Sequence, residues 1–269
     1  MATSTNNKLI TSINELSKAI TYVTPLPYVS GCIREYDIKA ANINILLHEN
    51  AITQAQYDYL SNLPKMYREI DVGNMIRKDV SVYNTISGGI TEAKLKLLTE
   101  NAVDPLSVIR IANDAVYINS SVELNKTQFD NITFVMKKEY NVMINLNNVL
   151  LFISLFGDSY DVDIIGISDD LLFAHEKFIT FVCDLVYRIE RVGNKDAIDF
   201  YQDFYEKYIN KQLDIGYYRE LNSNSCYTTI GALKYGLWNV DSLDSIDIGY
   251  NLFLLRQIWT ILLQLTKLN

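Results

Sequence analysis

Strand-like apolar runs recur along the first 167 residues of the chain, and helical spacing replaces them afterwards. Short apolar runs between turn residues are typical of buried strands, whereas apolar residues at every third or fourth position are typical of helices. The later region carries predicted helices at residues 168–192, 196–213 and 246–267. The pattern predicts an α+β protein with two domains, 1–167 and 168–269, the second of them helical. The strand-like runs are residues 30–38, 107–118, 132–136, 149–156 and 162–167.

Helical patterns also separate the strand-like runs of the first domain. A helical insertion is predicted at about positions 50–100, in which Thr53 and Thr91 are candidate N-caps. The tripeptide Ser87-Gly88-Gly89 predicts a turn, because adjacent glycines usually interrupt a helix. Lys94 is expected to face solvent on the helix that follows. The predicted helices of this domain are residues 8–20, 40–48, 53–63, 65–78 and 91–101.

Two aspartates, Asp37 and Asp114, lie at or within strand-like runs. Asp114 stands between the apolar segments 108–111 and 116–118. A charge inside such a run is costly to bury unless it is paired or bound to a metal. Two carboxylates on neighbouring strands would form a hard-oxygen site suited to Mg²⁺. The alternative is a structural role, since Asp at a strand end is commonly a turn or helix-cap residue.

The charge of the chain is negative and unevenly distributed. The formal net charge is −8. Residues 1–150 hold 14 Lys and Arg against 15 Asp and Glu, whereas residues 151–269 hold 10 against 17. A generally basic nucleic-acid surface is therefore excluded. Nucleic acid would have to be held locally, and the cations of residues 65–78 could serve that purpose or simply form a solvated helix face.

Cysteines, histidines and apolar runs limit the remaining classes. Cys32, Cys183 and Cys226 form no paired zinc signature and indicate reduced thiols of a cytoplasmic protein. His48 and His175 are too few for a histidine-rich metal site. The longest apolar run has eight residues, which is too short to cross a bilayer and predicts no membrane contact. The richness in Asn, Ile, Lys and Tyr indicates an AT-rich coding genome, such as that of a bacteriophage.

Three short segments resemble family B DNA polymerases. Motif A, usually Asp-x-x-Ser-Leu-Tyr-Pro-Ser, is similar to Asp37-Ile38-Lys39-Ala40-Ala41-Asn42-Ile43-Asn44. Motif C, usually Asp-Thr-Asp-Ser with apolar residues after it, is similar to Asn113-Asp114-Ala115-Val116-Tyr117-Ile118. The Lys-Lys-x-Tyr motif is matched by Lys137-Lys138-Glu139-Tyr140. Ala112 replaces the first Asp of motif C, and motif B has no clean match, the nearest segment being residues 78–84.

The resemblance implies a palm-like antiparallel sheet with packed helices. The insertion at about 50–100 would be fingers-like, and the helical region 168–269 would be thumb-like. The implied activity is a Mg²⁺-dependent nucleotidyl transfer on a primer-template, in which two metals activate the primer hydroxyl and stabilise the leaving pyrophosphate. Asp37 and Asp114 would be the catalytic and metal-binding residues. The implied nucleotide-binding residues are Arg68, Arg77 and Lys78, and the implied nucleic-acid-binding residues are Lys137, Lys138 and Tyr140.

The departures from the polymerase pattern favour a second reading. Loss of the first motif C aspartate, absence of motif B and the net acidity are compatible with a catalytically inactive, palm-derived module. Such a module would scaffold a viral replication or transcription complex, or act as a protein-interaction factor. A third reading is an α/β interaction protein whose resemblance to polymerases is accidental. A metal between Asp37 and Asp114 would separate the first reading from the other two.

Overall fold

A computed structural model describes residues 9–17, 21–121, 123–146, 149–167, 169–218 and 249–267. The helices are α1 (Ile13–Ser17), α2 (Ala41–His48), α3 (Gln54–Ser61), α4 (Lys65–Lys78), α5 (Ser81–Glu100), α6 (Asp169–Tyr187), α7 (Asn194–Ile209) and α8 (Gly249–Lys267). The strands are β1 (Tyr22–Val23), β2 (Tyr28–Ile38), β3 (Val108–Ile111), β4 (Ala115–Asn119), β5 (Gln128–Phe129), β6 (Ile132–Leu146), β7 (Val149–Phe156) and β8 (Ser159–Ile165). One π-helical turn, Arg188–Val192, follows α6.

The predicted fold class is confirmed. The strand pairs β1–β3, β2–β4, β3–β4, β5–β6, β6–β7 and β7–β8 are all antiparallel. Beyond residue 168, the secondary structure of the described residues is entirely helical. The protein is therefore α+β, with an antiparallel sheet and a helical C-terminal region. Cys226 and parts of three predicted helices, residues 8, 18–20, 168 and 246–248, lie outside the described residues.

The chain forms two compact units, of which the first comprises Met1–Pro25 and Gly31–Glu139. Its strands follow the order β1-β3-β4-β2, with the beginning of β6 next to β2. The Lys39 N–H donates to the carbonyl of Thr133 at 2.9 Å where the two strands meet. One continuous apolar core joins these strands to α2 and α5.

The second unit comprises Leu26–Ser30 and Tyr140–Asn269. The end of β6, β7 and β8 follow one another as an antiparallel meander. Every residue from Val149 to Leu155 in β7 is buried, which explains why this run is apolar at every position except Ser154 rather than alternating. The core of this unit joins β6 and β7 to α6, α7 and α8.

The two units divide the chain at a different place from the predicted domains. The division in sequence falls between Glu139 and Tyr140, and not between residues 167 and 168. Strands β7 and β8 therefore share a unit and a core with the C-terminal helices. The change from strand to helix near residue 168 marks a change of secondary structure within the second unit. The palm-like, fingers-like and thumb-like names for the predicted regions stay predictions.

The turn predicted at residues 87–89 is wrong, because these residues lie inside the 20-residue helix α5. Gly89 is required there by packing: a Cβ atom on it would lie 2.4 Å from Cγ2 of Ile45 in α2. The glycine therefore permits close approach of α2 and α5. Thr91 is consequently an interior helix residue, and its hydroxyl donates to the Ser87 carbonyl at 2.8 Å.

Local signals placed two other helices correctly. Thr53 is the N-cap of α3, and its side chain and that of Gln56 form a reciprocal capping box. Helix α4 begins directly after Pro64 and has the predicted bounds, Lys65–Lys78. Proline before the first helical residue and basic residues in the last turn are both favoured positions.

Candidate functional site

Asp37 lies near the end of β2, where the chain turns into α2. Its neighbours Tyr36 and Ile38 are 1% and 2% exposed and belong to the core of the first unit, which fixes the end of the strand. Asp37 is itself buried, with 8% exposure. The chain changes direction at Ala40, whose backbone is left-handed, with φ 46° and ψ 48°.

 Ala40 adopts this conformation without a side-chain cap, and the Asn44 side chain donates instead to the Lys39 carbonyl at 2.5 Å.

Asp114 lies in a two-residue turn between β3 and β4. The single strand predicted over residues 107–118 is therefore wrong, because the chain reverses at Asn113 and Asp114. The Ala112 N–H closes this hairpin by donating to the Ala115 carbonyl at 2.9 Å. Asn and Asp are both common turn residues, and here they outweigh the apolar run on either side. Asp114 is exposed in this turn.

The sheet of the first unit brings the two aspartates to the same end. Strands β2 and β4 are antiparallel neighbours, with Asp37 opposite Ala115. The Ile38 N–H donates to the carbonyl of Asp114 at 3.0 Å. Asp37 and Asp114 therefore belong to neighbouring residue pairs of the two strands. The Asp37 side chain is buried, whereas that of Asp114 is exposed.

Lys137 of β6 binds Asp37 directly. Its Nζ forms an ion pair with Oδ2 of the aspartate, whose side chain is 11% exposed against 54% for the lysine. This hydrogen bond is the largest cause of a raised pKa of Lys137; burial lowers the pKa by less, and the charges of Asp37, Glu35 and Asp114 raise it further. The other carboxylate oxygen, Oδ1 of Asp37, is buried and has no hydrogen-bond partner among the described residues.

A second lysine, Lys94 of α5, holds the turn that carries Asp114. Its Nζ donates to the carbonyls of Ala112 and Asn113, both at 3.1 Å. The residue is only 4% exposed, and burial lowers its pKa to about 8, although the charge of Asp114 acts in the opposite direction. Asp37, Asp114, Lys94 and Lys137 thus form a cluster of two acids and two bases, which we call the Asp–Lys cluster.

Nearly the whole sequence matches one protein family. A family profile described as "Bacteriophage PBS1 gene 130 protein" matches residues 3–264. The chain belongs to this family. The bacteriophage origin inferred from composition is thereby confirmed, whereas the match gives no support to a polymerase. No curated protein matches the chain significantly.

Sequence reasoning missed the role of Lys94 in this member of the PBS1 gene 130 protein family. The prediction that Lys94 faces solvent is wrong. Its helical spacing contained the signal, because Lys94 lies four residues after Ile90 and three and four residues before Leu97 and Leu98, all of which are buried. A lysine on the apolar side of an amphipathic helix is a candidate buried cation.

The other predicted site residues lie on α4 and β6. Arg68 is partly exposed, and Arg77 and Lys78 are exposed at the end of α4. Lys138 is exposed on β6, whereas Tyr140 is 2% exposed. The Tyr140 hydroxyl donates to Oδ2 of Asp163 at 2.6 Å within the second unit. Of the predicted residues, the structure thus gathers Asp37, Asp114 and Lys137, and their predicted functions stay predictions.

The donor set fits a pair of Mg²⁺ ions poorly. Among the described residues, no group of three or more His, Cys, Asp or Glu side chains is placed to hold a metal. One oxygen of Asp37 is bound to Lys137, and Ala112 stands where motif C has its first aspartate. Hard divalent cations prefer several oxygen ligands, and the described residues around Asp37 do not supply them. In the described part of the chain, no helix is long and apolar enough to cross a membrane.

Proposed function

We propose that this phage protein is a non-catalytic, palm-derived module that scaffolds a phage replication or transcription complex in the host cytoplasm. The observation that carries the proposal is the ion pair between Lys137 and Asp37. It puts an ammonium group on the carboxylate that, in the resemblance to polymerases, would bind metal. The arrangement resembles a catalytic site whose cations are supplied by the chain itself.

The relation to a palm is supported by where the aspartates lie. Asp37 ends a strand, and Asp114 occupies the turn of the hairpin that pairs with that strand. Motif A and motif C would stand in this relation if the resemblance extends to the sheet. The three helices between α2 and β3 would then be the fingers-like insertion.

The absence of catalysis is supported by electrostatics. A metal at Asp37 would have to displace Lys137 and would lie in the field of Lys94 at the neighbouring turn. Two like unit charges 4 Å apart repel by roughly 4 kcal/mol at an effective dielectric constant of 20. A divalent cation experiences more. The carbonyl of Ala112 accepts a hydrogen bond from Lys94, so this turn also holds a cation of the chain in place of a carboxylate.

An active Mg²⁺-dependent nucleotidyltransferase is the second candidate, and one observation favours it. Oδ1 of Asp37 is buried without a hydrogen-bond partner among the described residues. A buried carboxylate oxygen usually has a partner, and a bound cation would provide one. In this reading Arg68, Arg77 and Lys78 bind the nucleotide, while Lys137 and Lys138 bind the primer-template through salt-sensitive contacts.

Primer extension in the presence of Mg²⁺ or Mn²⁺ separates the two candidates. We expect no extension by the wild-type protein and no Mn²⁺ binding in electron paramagnetic resonance. The comparison variants are Asp114→Asn and, as a matched control, Asp203→Asn on α7. Extension by the wild type that is lost in Asp114→Asn and retained in Asp203→Asn would establish the enzyme and reject the scaffold.

The scaffold also makes a positive prediction. Tagged protein isolated from infected cells should bring with it a phage protein of the replication or transcription machinery. Asp114→Asn should retain that partner, because the exposed aspartate has no catalytic task in this proposal. Recovery of the protein alone, at a concentration where the complex would persist, would contradict the scaffold function.

A further inference from the structure

Helix α4 carries an exposed apolar stripe with a basic residue at each end. Lys65, Met66, Ile70, Gly73 and Arg77 line one shallow depression on the surface of the first unit, together with Glu69. We call these five residues the α4 stripe. Met66 and Ile70 are 64% and 48% exposed, although both side chains are large and apolar. Large apolar side chains that adjoin one another on a surface commonly mark an interaction site.

The segment of the chain that contains α4 is rich in exposed apolar side chains. Among the described residues, fifteen large hydrophobic side chains are exposed, and six of them lie between residues 59 and 83. The opposite side of α4 faces the core through Val72, which is 2% exposed. The helix is therefore anchored by one face while the other remains uncovered. The six residues are Tyr59, Met66, Tyr67, Ile70, Val80 and Tyr83.

Gly73 forms a notch at the centre of the stripe. A Cβ atom on this glycine would meet no heavy atom within 4 Å, so no packing inside the described structure requires the glycine. Glycine in a helix interior costs about 1 kcal/mol relative to alanine. A glycine at this position leaves room for a side chain of another molecule, in the same way that Gly89 leaves room for Ile45 within the protein.

The charge of the stripe is positive. Glu69 accepts a hydrogen bond from the Asn42 side chain at 2.8 Å. Lys65 and Arg77 have no hydrogen bond or ion pair with any described residue. They are 12 positions apart, which corresponds to about 18 Å along a helix. The depression therefore has a net positive charge, from two cations and one acid, and the apolar, notched surface of Met66, Ile70 and Gly73 lies between the cations.

We infer that the α4 stripe docks an acidic amphipathic helix of a partner protein. Such a helix supplies carboxylates to Lys65 and Arg77, and its apolar face covers Met66 and Ile70. A nucleic-acid backbone would satisfy the cations but would leave the apolar residues exposed. A second copy is disfavoured, because antiparallel pairing of two α4 stripes opposes Lys65 to Arg77, and parallel pairing opposes each cation to itself.

The probe is a pair of helical peptides of about 18 residues that share one leucine face. One peptide carries Glu at two positions twelve residues apart, and the other carries Lys at the same positions. We expect the acidic peptide to bind the wild-type protein at least about tenfold more tightly than the basic peptide in fluorescence anisotropy. Equal affinity for the two peptides, or no binding of the acidic one, would overturn the inference.

Two glycine variants locate the docking site without removing a contact. Gly73→Leu fills the notch and should weaken binding of the acidic peptide at least about tenfold. Gly88→Leu is the matched control, since Gly88 is an exposed helix residue whose Cβ, like that of Gly73, would meet nothing within 4 Å. Circular dichroism should be the same for both variants. Equal loss of binding in the two variants would place the docking site elsewhere.

The remaining occupants give different results. If a second copy covers the stripe, sedimentation will reveal a dimer that Gly73→Leu dissociates. If duplex DNA occupies it, Lys65→Ala and Arg77→Ala will weaken binding of a DNA duplex while Ile70→Ser has no effect. Either result overturns the inference. Ile70→Ser should instead weaken the acidic peptide as strongly as Arg77→Ala does.

Discussion

The two units differ in whether they bury charged side chains. Among the described residues, the only buried charged side chains are Asp37 and Lys94, and both belong to the first unit. In the second unit, acids are bound by tyrosine hydroxyls: Tyr140 donates to Asp163 at 2.6 Å and Tyr160 donates to Asp184 at 2.9 Å. Neutral donors next to partly exposed acids stabilise a fold without full burial of a charge. Burial of charge is costly, so the first unit carries an energetic cost at the proposed site that the described part of the second unit avoids.

Lys94 of the first unit should have the largest effect on the free energy of unfolding, and this effect should depend on pH. The folded protein releases its Lys94 proton near pH 8, whereas the unfolded lysine retains it to about pH 10.5. Between these values the unfolded state binds more protons, so the contribution of Lys94 to stability increases with pH. The free energy of unfolding of the wild type, minus that of Lys94→Met, should increase by roughly 3 kcal/mol across this window.

Chemical denaturation at several pH values measures this difference, and titrating tyrosines cancel in it. Lys96→Met is the control on the same helix, because the Lys96 side chain is 40% exposed and pairs with Glu92. Its difference from the wild type should vary little with pH. A flat profile for Lys94→Met would mean that the lysine remains protonated in the folded protein throughout.

The ion pair between Asp37 and Lys137 should give a smaller effect. Lys137→Met leaves a buried carboxylate without its cation and should lower the free energy of unfolding by about 2 kcal/mol, less than a fully buried pair would. Asp37→Asn in the same chain should recover part of that loss. A double-mutant cycle should therefore give a coupling energy of about 1–2 kcal/mol. Additive effects of the two substitutions would mean that the pair does not stabilise the fold.

The smallest effect is expected at a tyrosine of the second unit. Tyr140→Phe removes the hydrogen bond to Asp163 and should lower the free energy of unfolding by about 1 kcal/mol. Tyr83→Phe is the matched control, because Tyr83 is 55% exposed and should change stability by less than about 0.5 kcal/mol. A loss at Tyr140 larger than that at Lys137 would reverse the ranking of the two units.

Sequence patterns predicted elements that depend on local chemistry. Helix α3 follows from its Thr53 cap, and β7 from a run that is apolar at all positions but Ser154 because nearly the whole strand is buried. Gly89 misled the prediction because its role is contact with Ile45, a residue 44 positions away. Composition and periodicity near the glycine contain no record of that contact.

Only part of the candidate site was predicted, because contacts between residues far apart in the sequence leave no local signal. Asp37 and Asp114 could be recognised because each interrupts an apolar run, and strand pairing does bring them together. Their lysine partners could not be assigned from spacing, since Lys137 is 100 positions from Asp37 and reaches it only through the pairing of β2 with β6. Lys94 could have been found, had its apolar neighbours on α5 been weighed above its charge.

The pairing of β2 with β4 has a consequence for how the protein is made. It joins residues 33–37 to residues 115–119, whereas β6 pairs with β7 and β7 with β8, each the next strand in the chain. Strand pairing between distant segments is slow to form because a long loop must first be closed. At about 5–20 residues per second on the ribosome, β2 waits several seconds before its partner is synthesised. The strand that carries Asp37 therefore lacks its β4 partner during that interval, and folding of the first unit has to wait for the synthesis of β4.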